Sequence, residues 1–335
     1  VLQDNPSRDE FKSRAANIAG VWVPEIHGER VPATQKVTVE ALPAVGQIVT
    51  PHTELSNMFL LEASRGCPRF CRFCLVRSPE SPMREPDLQT VLSHIPKDAP
   101  RVGFVGAAVS EWSGIKEALA HVIEMGKGIG VSSLRADRLD EEFVSLLARG
   151  GYRTMTVAAD APSQRLRGKM AKGLRTRHFI EAARLAHQAG LSRLKLYVII
   201  GLPEETDDDI DELIALTREL SSVIPVALGV SPLVPKLHTP LGSVDFAGIG
   251  PVDRTLKRLK RELGGVARVR STSAKWAWVE YRMSQGDQST GLAALEAWRQ
   301  GGSFADWKRA FAPLEDRPAL AAARRSGLWL ASGMK

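Results

Sequence analysis

From Met58 onward the hydrophobic positions fall into short runs in which apolar and β-branched residues dominate. Strands are expected near 58–63, 101–106, 128–134, 152–159, 193–200 and 224–231, each closed by polar, Gly or Pro residues. Between them the period lengthens to that of an amphipathic helix. Residues 177–189 place Phe179, Ala183 and Ala186 on one face and stop at Gly190, where a helix C-cap favours glycine. Residues 207–220 open after Thr206 with three aspartates, the charge that a helix N-terminus prefers. Six βα units in succession predict an α/β fold built on a parallel sheet.

The pattern changes on either side of this region. Residues 1–57 carry scattered prolines and little periodicity, which reads as an N-terminal extension or linker. Residues 58–250 form the βα region. Residues 251–335 alternate charges with Trp, Leu and Ala and are expected to be a helical C-terminal extension, packed by Trp276, Trp278, Trp298, Trp307 and Trp329. A chain of 335 residues with 44% hydrophobic content can bury one large core. No apolar run nears the roughly 20 residues that cross a bilayer. The charged opening stretch is unlike a secretion signal, and a cytoplasmic location is expected. Because the sequence begins at Val1 and not at methionine, a preceding domain is left open.

A formal charge of +7 favours acidic partners without naming one. The basic runs 165–177 and 254–261 are read as solvated helix faces in preference to nucleic-acid contacts, since no aromatic residues are interleaved for base stacking.

The three cysteines, Cys67, Cys71 and Cys74, fall within eight residues directly after the first strand, and the chain has no others. A disulfide framework is excluded by that count, and a reducing compartment with a bound metal is indicated. Structural zinc would want a fourth Cys or His at a regular offset, and the nearest histidines, His52 and His94, lie about 20 residues away. Soft thiolates then favour an iron-sulfur cluster with one iron left open.

Cys-x3-Cys-x2-Cys, with Phe73 before the last cysteine and a βα chain behind it, resembles the radical S-adenosylmethionine superfamily. That resemblance implies a partial (βα)6 barrel with Cys67, Cys71 and Cys74 as ligands of a 4Fe-4S cluster. The open iron would hold S-adenosylmethionine, reductively cleaved to a 5'-deoxyadenosyl radical. It also implies an electron donor such as flavodoxin or ferredoxin. By the same resemblance, cofactor-binding positions are expected at Phe73; at Gly106 and Ala107 after the second strand; at Ser132, Ser133 and Arg135 after the third; at Asp160 after the fourth; and at Ile199 and Gly201 ending the fifth. All lie where strands end, the face on which barrel sites are built.

Two further stretches narrow the resemblance. Asp160-Ala161-Pro162-Ser163-Gln164-Arg165-Leu166 and Gly201-Leu202-Pro203-Glu204-Glu205-Thr206 are similar to segments of the methylthiotransferase-like and Elongator-like branches. Ser231–Pro240 looks like a Pro-rich segment of enzymes that carry a cobalamin-binding domain, with Lys236 and His238 as candidate substrate contacts. Cobalamin could enter only through a domain absent from this chain. Three functions follow as expectations: the radical half of a cobalamin-dependent methyltransferase-like protein; a methylthiotransferase-like modifier of RNA or protein; and, outside catalysis, an iron-sulfur nucleic-acid-binding protein. The specific substrate and the oligomeric state are not legible.

Overall fold

A computed structural model describes residues 4–314, apart from 29, 31, 34 and 78–80; Trp329 lies outside the described residues. Seven parallel strands are arranged in two sheets, β1 (Met58–Glu62), β2 (Arg101–Val105) and β3 (Gly128–Val131) in one, β4 (Thr154–Ala158), β5 (Arg193–Ile200), β6 (Val226–Pro232) and β7 (Arg268–Ser271) in the other. The strand order is sequential in both, each strand lying beside the one before it in the chain. Leu134 joins the two sheets: its N–H donates to Thr156 O at 2.9 Å and its carbonyl accepts from Ala158 N at 3.2 Å.

Helices of the βα crossovers pack on the outer side of the sheets, against the buried alternate residues of the strands. In chain order the helices are α1 (Arg8–Ala16), α2 (Pro24–His27), α3 (Leu88–Ser93), α4 (Ile115–Glu124), α5 (Glu141–Arg149), α6 (Gln164–Lys169), α7 (Thr176–Gln188), α8 (Asp207–Val223), α9 (Ile249–Glu262), α10 (Ala274–Gln285), α11 (Gln288–Arg299) and α12 (Phe304–Phe311). β5 shows the sorting. Leu194, Leu196, Val198 and Ile200 are buried in the core shared with Phe179, Ala183 and Ala186 of α7 and Leu213 and Leu216 of α8, while Arg193, Lys195, Tyr197 and Ile199 take the opposite, concave face. α8 is nucleated by a capping box in which Thr206 and Asp209 exchange hydrogen bonds, with Asp207, Asp208 and Asp209 in its first turn.

The predicted strands appear in place, β5 with its predicted bounds, β6 shifted to 226–232 and the other four shortened by one to three residues, and no helix among the described residues is long and apolar enough to cross a membrane. The stretch after 250 departs from expectation. β7 lies within it and pairs with β6, where sequence reading placed helices alone. Its sequence, Arg-Val-Arg-Ser, offers one apolar side chain, Val269, which packs on the core; arginines fill its other face, so hydropathy gives no strand signal. α10 and α12 form an aromatic cluster from three of the expected tryptophans, with Trp278 edge-on to Phe304 and Phe311 and Trp276 edge-on to Trp307, whereas Trp298 on α11 is 71% exposed and does not join it. The N-terminal extension packs on the sheet edge: Gly46 N donates to Leu60 O at 2.7 Å and Glu62 N to Ala44 O at 2.9 Å.

Candidate iron-sulfur and cofactor site

The cysteine loop leaves the C-terminal end of β1 through Gly66, whose φ of +86° suits glycine; a Cβ there would lie 2.2 Å from Pro82 O. The loop is pinned by main-chain bonds from Cys67 N to Ser81 O (3.0 Å), Arg72 N to Met170 O (3.1 Å) and Cys74 N to Cys71 O (3.2 Å). All three thiols are free, Cys71 buried and the others half-buried. Burial pushes the Cys71 and Cys74 thiols up, with Lys172 opposing it at both; Cys74 also raises Cys71, and Cys67 raises Cys74.

Among the described residues no three His, Cys, Asp or Glu side chains converge closely enough for a single metal ion. In an iron-sulfur cluster each thiolate binds its own iron, so three soft donors on one short loop, in one another's electrostatic field, fit that group and not a mononuclear site.

A buried charge cluster backs the loop. The Glu111 side chain is only 4% exposed, and it gathers Arg69 of the cysteine loop (Nη2 at 2.6 Å), Arg135 (Nε at 3.2 Å) and Arg138 (Nε at 2.9 Å). Arg135 also binds Asp137 and donates to Lys172 O at 3.0 Å. The structure thus ties the Arg135 guanidinium to protein acceptors on several sides. Lys172 in turn holds Asp160, a non-glycine residue at φ +57°, with Nζ to Oδ2 at 2.6 Å. Sequence reading singled out Asp160 and Arg135 but missed Glu111 as a hub and Lys172 as a partner. Arg69 and Glu111 are 42 residues apart, a distance at which no local pattern reports a pair.

The basic run after β4 is largely consumed inside the protein. Arg165 and Lys169 pair with Asp209 and Glu204, and Lys172 with Asp160. Arg167, fully buried, donates to Leu174 O (3.0 Å) and Thr176 Oγ1 (2.9 Å), reaches Glu212, and lies 5.1 Å from the Phe179 ring centre. In the second run, Arg258 of α9 binds Asp207 and Asp211.

The Gly-Leu-Pro-Glu-Glu-Thr run closes on itself. Glu205 accepts from Gly201 N (3.0 Å) and Leu202 N (3.3 Å), holding Gly201 at φ +71°; burial pushes its carboxyl up against those two bonds. Asp209 ties this turn to the one after β4, accepting from Ser163, Arg165 and Thr206. Burial alone would raise its carboxyl, but these bonds hold it at about 2. A depressed carboxyl stabilises the fold above its ordinary value of 3.8, and that contribution is lost as the pH falls through about 2. Asp209→Asn is therefore expected to destabilise the chain more at pH 5 than at pH 2.5 in urea titrations; an equal effect at both would remove Asp209 as the source.

Phe73 and Ile199, expected from sequence to lie near the cofactor, line one cavity of ≈270 Å³. Ser231, Leu233, Lys236 and Thr272 complete much of its wall, and α10 contributes Glu280, ion-paired to Lys236 at 2.5 Å. His238 is exposed and does not line it. Ser132 lines a second cavity of ≈670 Å³ between β1–β3 and the start of β4. Ser133 is exposed. Gly106 packs on the segment that follows β1, where a Cβ would come within 2.8 Å of Ser64 O, and Ala107 is exposed beside it.

Residues 61–217 match the family model of the Radical SAM superfamily. The chain carries a radical SAM domain. That superfamily is iron-sulfur-bearing and uses S-adenosylmethionine, in keeping with the donor set on the loop. An uncharacterized protein of Methanocaldococcus jannaschii is 33% identical over 242 residues, 70% of this chain and 54% of that protein. A tRNA-2-methylthio-N(6)-dimethylallyladenosine synthase of Anoxybacillus flavithermus is 24% identical over 172 residues, 46% of this chain and 32% of that protein. The chain thus spans about half or less of these relatives' length. Streptococcus suis SuiB bound to S-adenosylmethionine shares the fold, with a TM-score of 0.50 at 15% identity over 66% of this chain and 51% of that one.

Proposed function

We propose that this radical SAM chain is the radical-generating part of an enzyme, with Cys67, Cys71 and Cys74 as cluster ligands. The observation that carries the reading is the loop itself: three free thiols at the end of β1, buttressed by Arg69 and Glu111, beside a cavity walled by Phe73 and Ile199. When bound, the cluster and S-adenosylmethionine supply reductive cleavage to methionine and a 5'-deoxyadenosyl radical.

The chain's own residues divide the remaining work. Phe73 and Ile199 give the adenosyl group an apolar wall and exclude water from it. Asp160, held by Lys172, offers its remaining acceptor capacity to a ribose hydroxyl, with Ser132 and Ser133 as hydroxyl partners on the neighbouring strand end. Arg135 supplies fixed positive charge near the cofactor's carboxylate, and the turns at Gly106-Ala107 and Gly201 admit the ligand close to backbone. The Gly201–Thr206 run and the tRNA-modifying relative favour, as the finer reading, a modification reaction on RNA.

The test is anaerobic reconstitution with iron and sulfide, reduction, and addition of S-adenosylmethionine. 5'-Deoxyadenosine is expected above a reductant-free control. A protein that takes up zinc but no iron would sink the reading.

A further inference from the structure

The inner face of the larger sheet is cationic in a way that cluster and cofactor do not explain. Strand register places Thr154 beside Arg193; Thr156, Lys195, Ala227 and Arg268 in a second row; and Ala158, Tyr197, Gly229 and Arg270 in a third. The alternate residues of these strands, among them Leu194, Leu196, Leu228 and Val230, are buried against helices, so these rows face the concave interior. Arg193, Arg268 and Arg270 are exposed there, and Lys195 is half-buried with its Nζ 4.5 Å from the Tyr197 ring centre. Across the barrel, Arg101 and Arg153 line the ≈670 Å³ cavity.

None of these six cations has a carboxylate partner among the described residues, whereas Arg165, Arg167, Lys169 and Lys172 each do. The carboxylates at the inner strand ends, Glu62 and Asp160, are already taken by Arg65 and Lys172. Cations at i and i+2 on one strand lie about 6.5 Å apart, and those two strands away about 10 Å. Bringing them to one concave surface without counter-charge costs self-repulsion, which a bound polyanion relieves. Guanidinium forks match phosphate oxygens in pairs.

We propose that the barrel interior binds a phosphate-bearing substrate, a nucleotide either free or within an RNA strand, with Arg193, Lys195, Arg268 and Arg270 as its anchoring residues. Only the word substrate rests on the radical-enzyme reading, because binding can be read without cluster or cofactor.

The full chain as purified is titrated with inorganic pyrophosphate by calorimetry and with a fluorescein-labelled ten-nucleotide single-stranded RNA by anisotropy. A variant with Arg193→Gln, Lys195→Gln, Arg268→Gln and Arg270→Gln is compared with an outer-face variant carrying Arg254→Gln, Lys257→Gln, Lys260→Gln and Arg261→Gln; circular dichroism checks that both keep their fold. The inner variant is expected to lose at least about tenfold in affinity and to show a shallower salt dependence, while the outer one stays within about twofold. Tighter binding of RNA assigns the site to a strand, and tighter binding of pyrophosphate to a free nucleotide. No millimolar binding of either probe, or equal losses in the two variants, overturns the proposal. Deoxyadenosine formation with no anion binding would overturn this inference alone, and the reverse result the radical reading alone.

Discussion

A chain carrying Cys67→Ala, Cys71→Ala and Cys74→Ala is expected to take up no iron on reconstitution and to form no 5'-deoxyadenosine, while keeping its far-ultraviolet circular dichroism. The three residues are the only cysteines in the sequence, so no other thiolate can replace them. No disulfide is lost, and the loop retains its anchors to Ser81 and Met170, which are main-chain bonds indifferent to the side-chain change. Alanine at the buried Cys71 removes one sulfur from the interior, a change of about 1–2 kcal/mol at most by the scale of single-group deletions in cores. Iron and sulfide analysis of wild type and variant side by side decides it. Retention of a four-iron chromophore by the variant would show that the thiolates of this loop are not the ligands.

The second large effect is expected at Glu111. Glu111→Ala removes the shared partner of Arg69, Arg135 and Arg138. Arg135 keeps Asp137 and the Lys172 carbonyl, and Arg138 is half-exposed and can turn to water, but Arg69 loses the one carboxylate in ion-pair contact with it among the described residues. Breaking a fully buried ion pair typically costs about 3–5 kcal/mol, and the cost here is expected below that range because Arg69 is partly exposed and Arg135 keeps its other partners. Since Arg69 sits two residues after Cys67, the loss should also appear as fewer irons per chain. Glu111→Gln keeps an acceptor for one guanidinium and should fall between. Urea unfolding together with iron stoichiometry measures both; wild-type values in Glu111→Ala would mean that the loop is held by its main-chain bonds alone.

How far the sequence announces this molecule depends on the range over which each signal is written. β5 is legible because it is a run of β-branched and other apolar residues in which Leu194, Leu196 and Val198 alternate with Arg193, Lys195 and Tyr197, and α8 because Thr206 and Asp209 form a cap within four. The cysteine spacing is equally local. β7 escapes because a strand with one half-buried apolar side chain and two arginines has no hydrophobic period, and it is stabilised by pairing with β6. The Glu111 cluster escapes for a different reason: its partners come from two separate loops and meet only after the barrel has formed. The Gly201–Thr206 run was legible as a family resemblance, yet the part played by Glu205 in closing that turn on its own amides is visible only in three dimensions.

A sheet that does not close leaves rims, and bare rims recruit strands from other molecules. On the β1 side residues 44–46 already occupy the hydrogen-bonding edge, and they do so as a brief irregular segment that offers little template for extension. On the β7 side the strand is only four residues long and carries an arginine at every second position, so a second copy approaching edge to edge meets its own charge. The same short basic strand that hides from hydropathy therefore guards the open barrel against stacking into fibres.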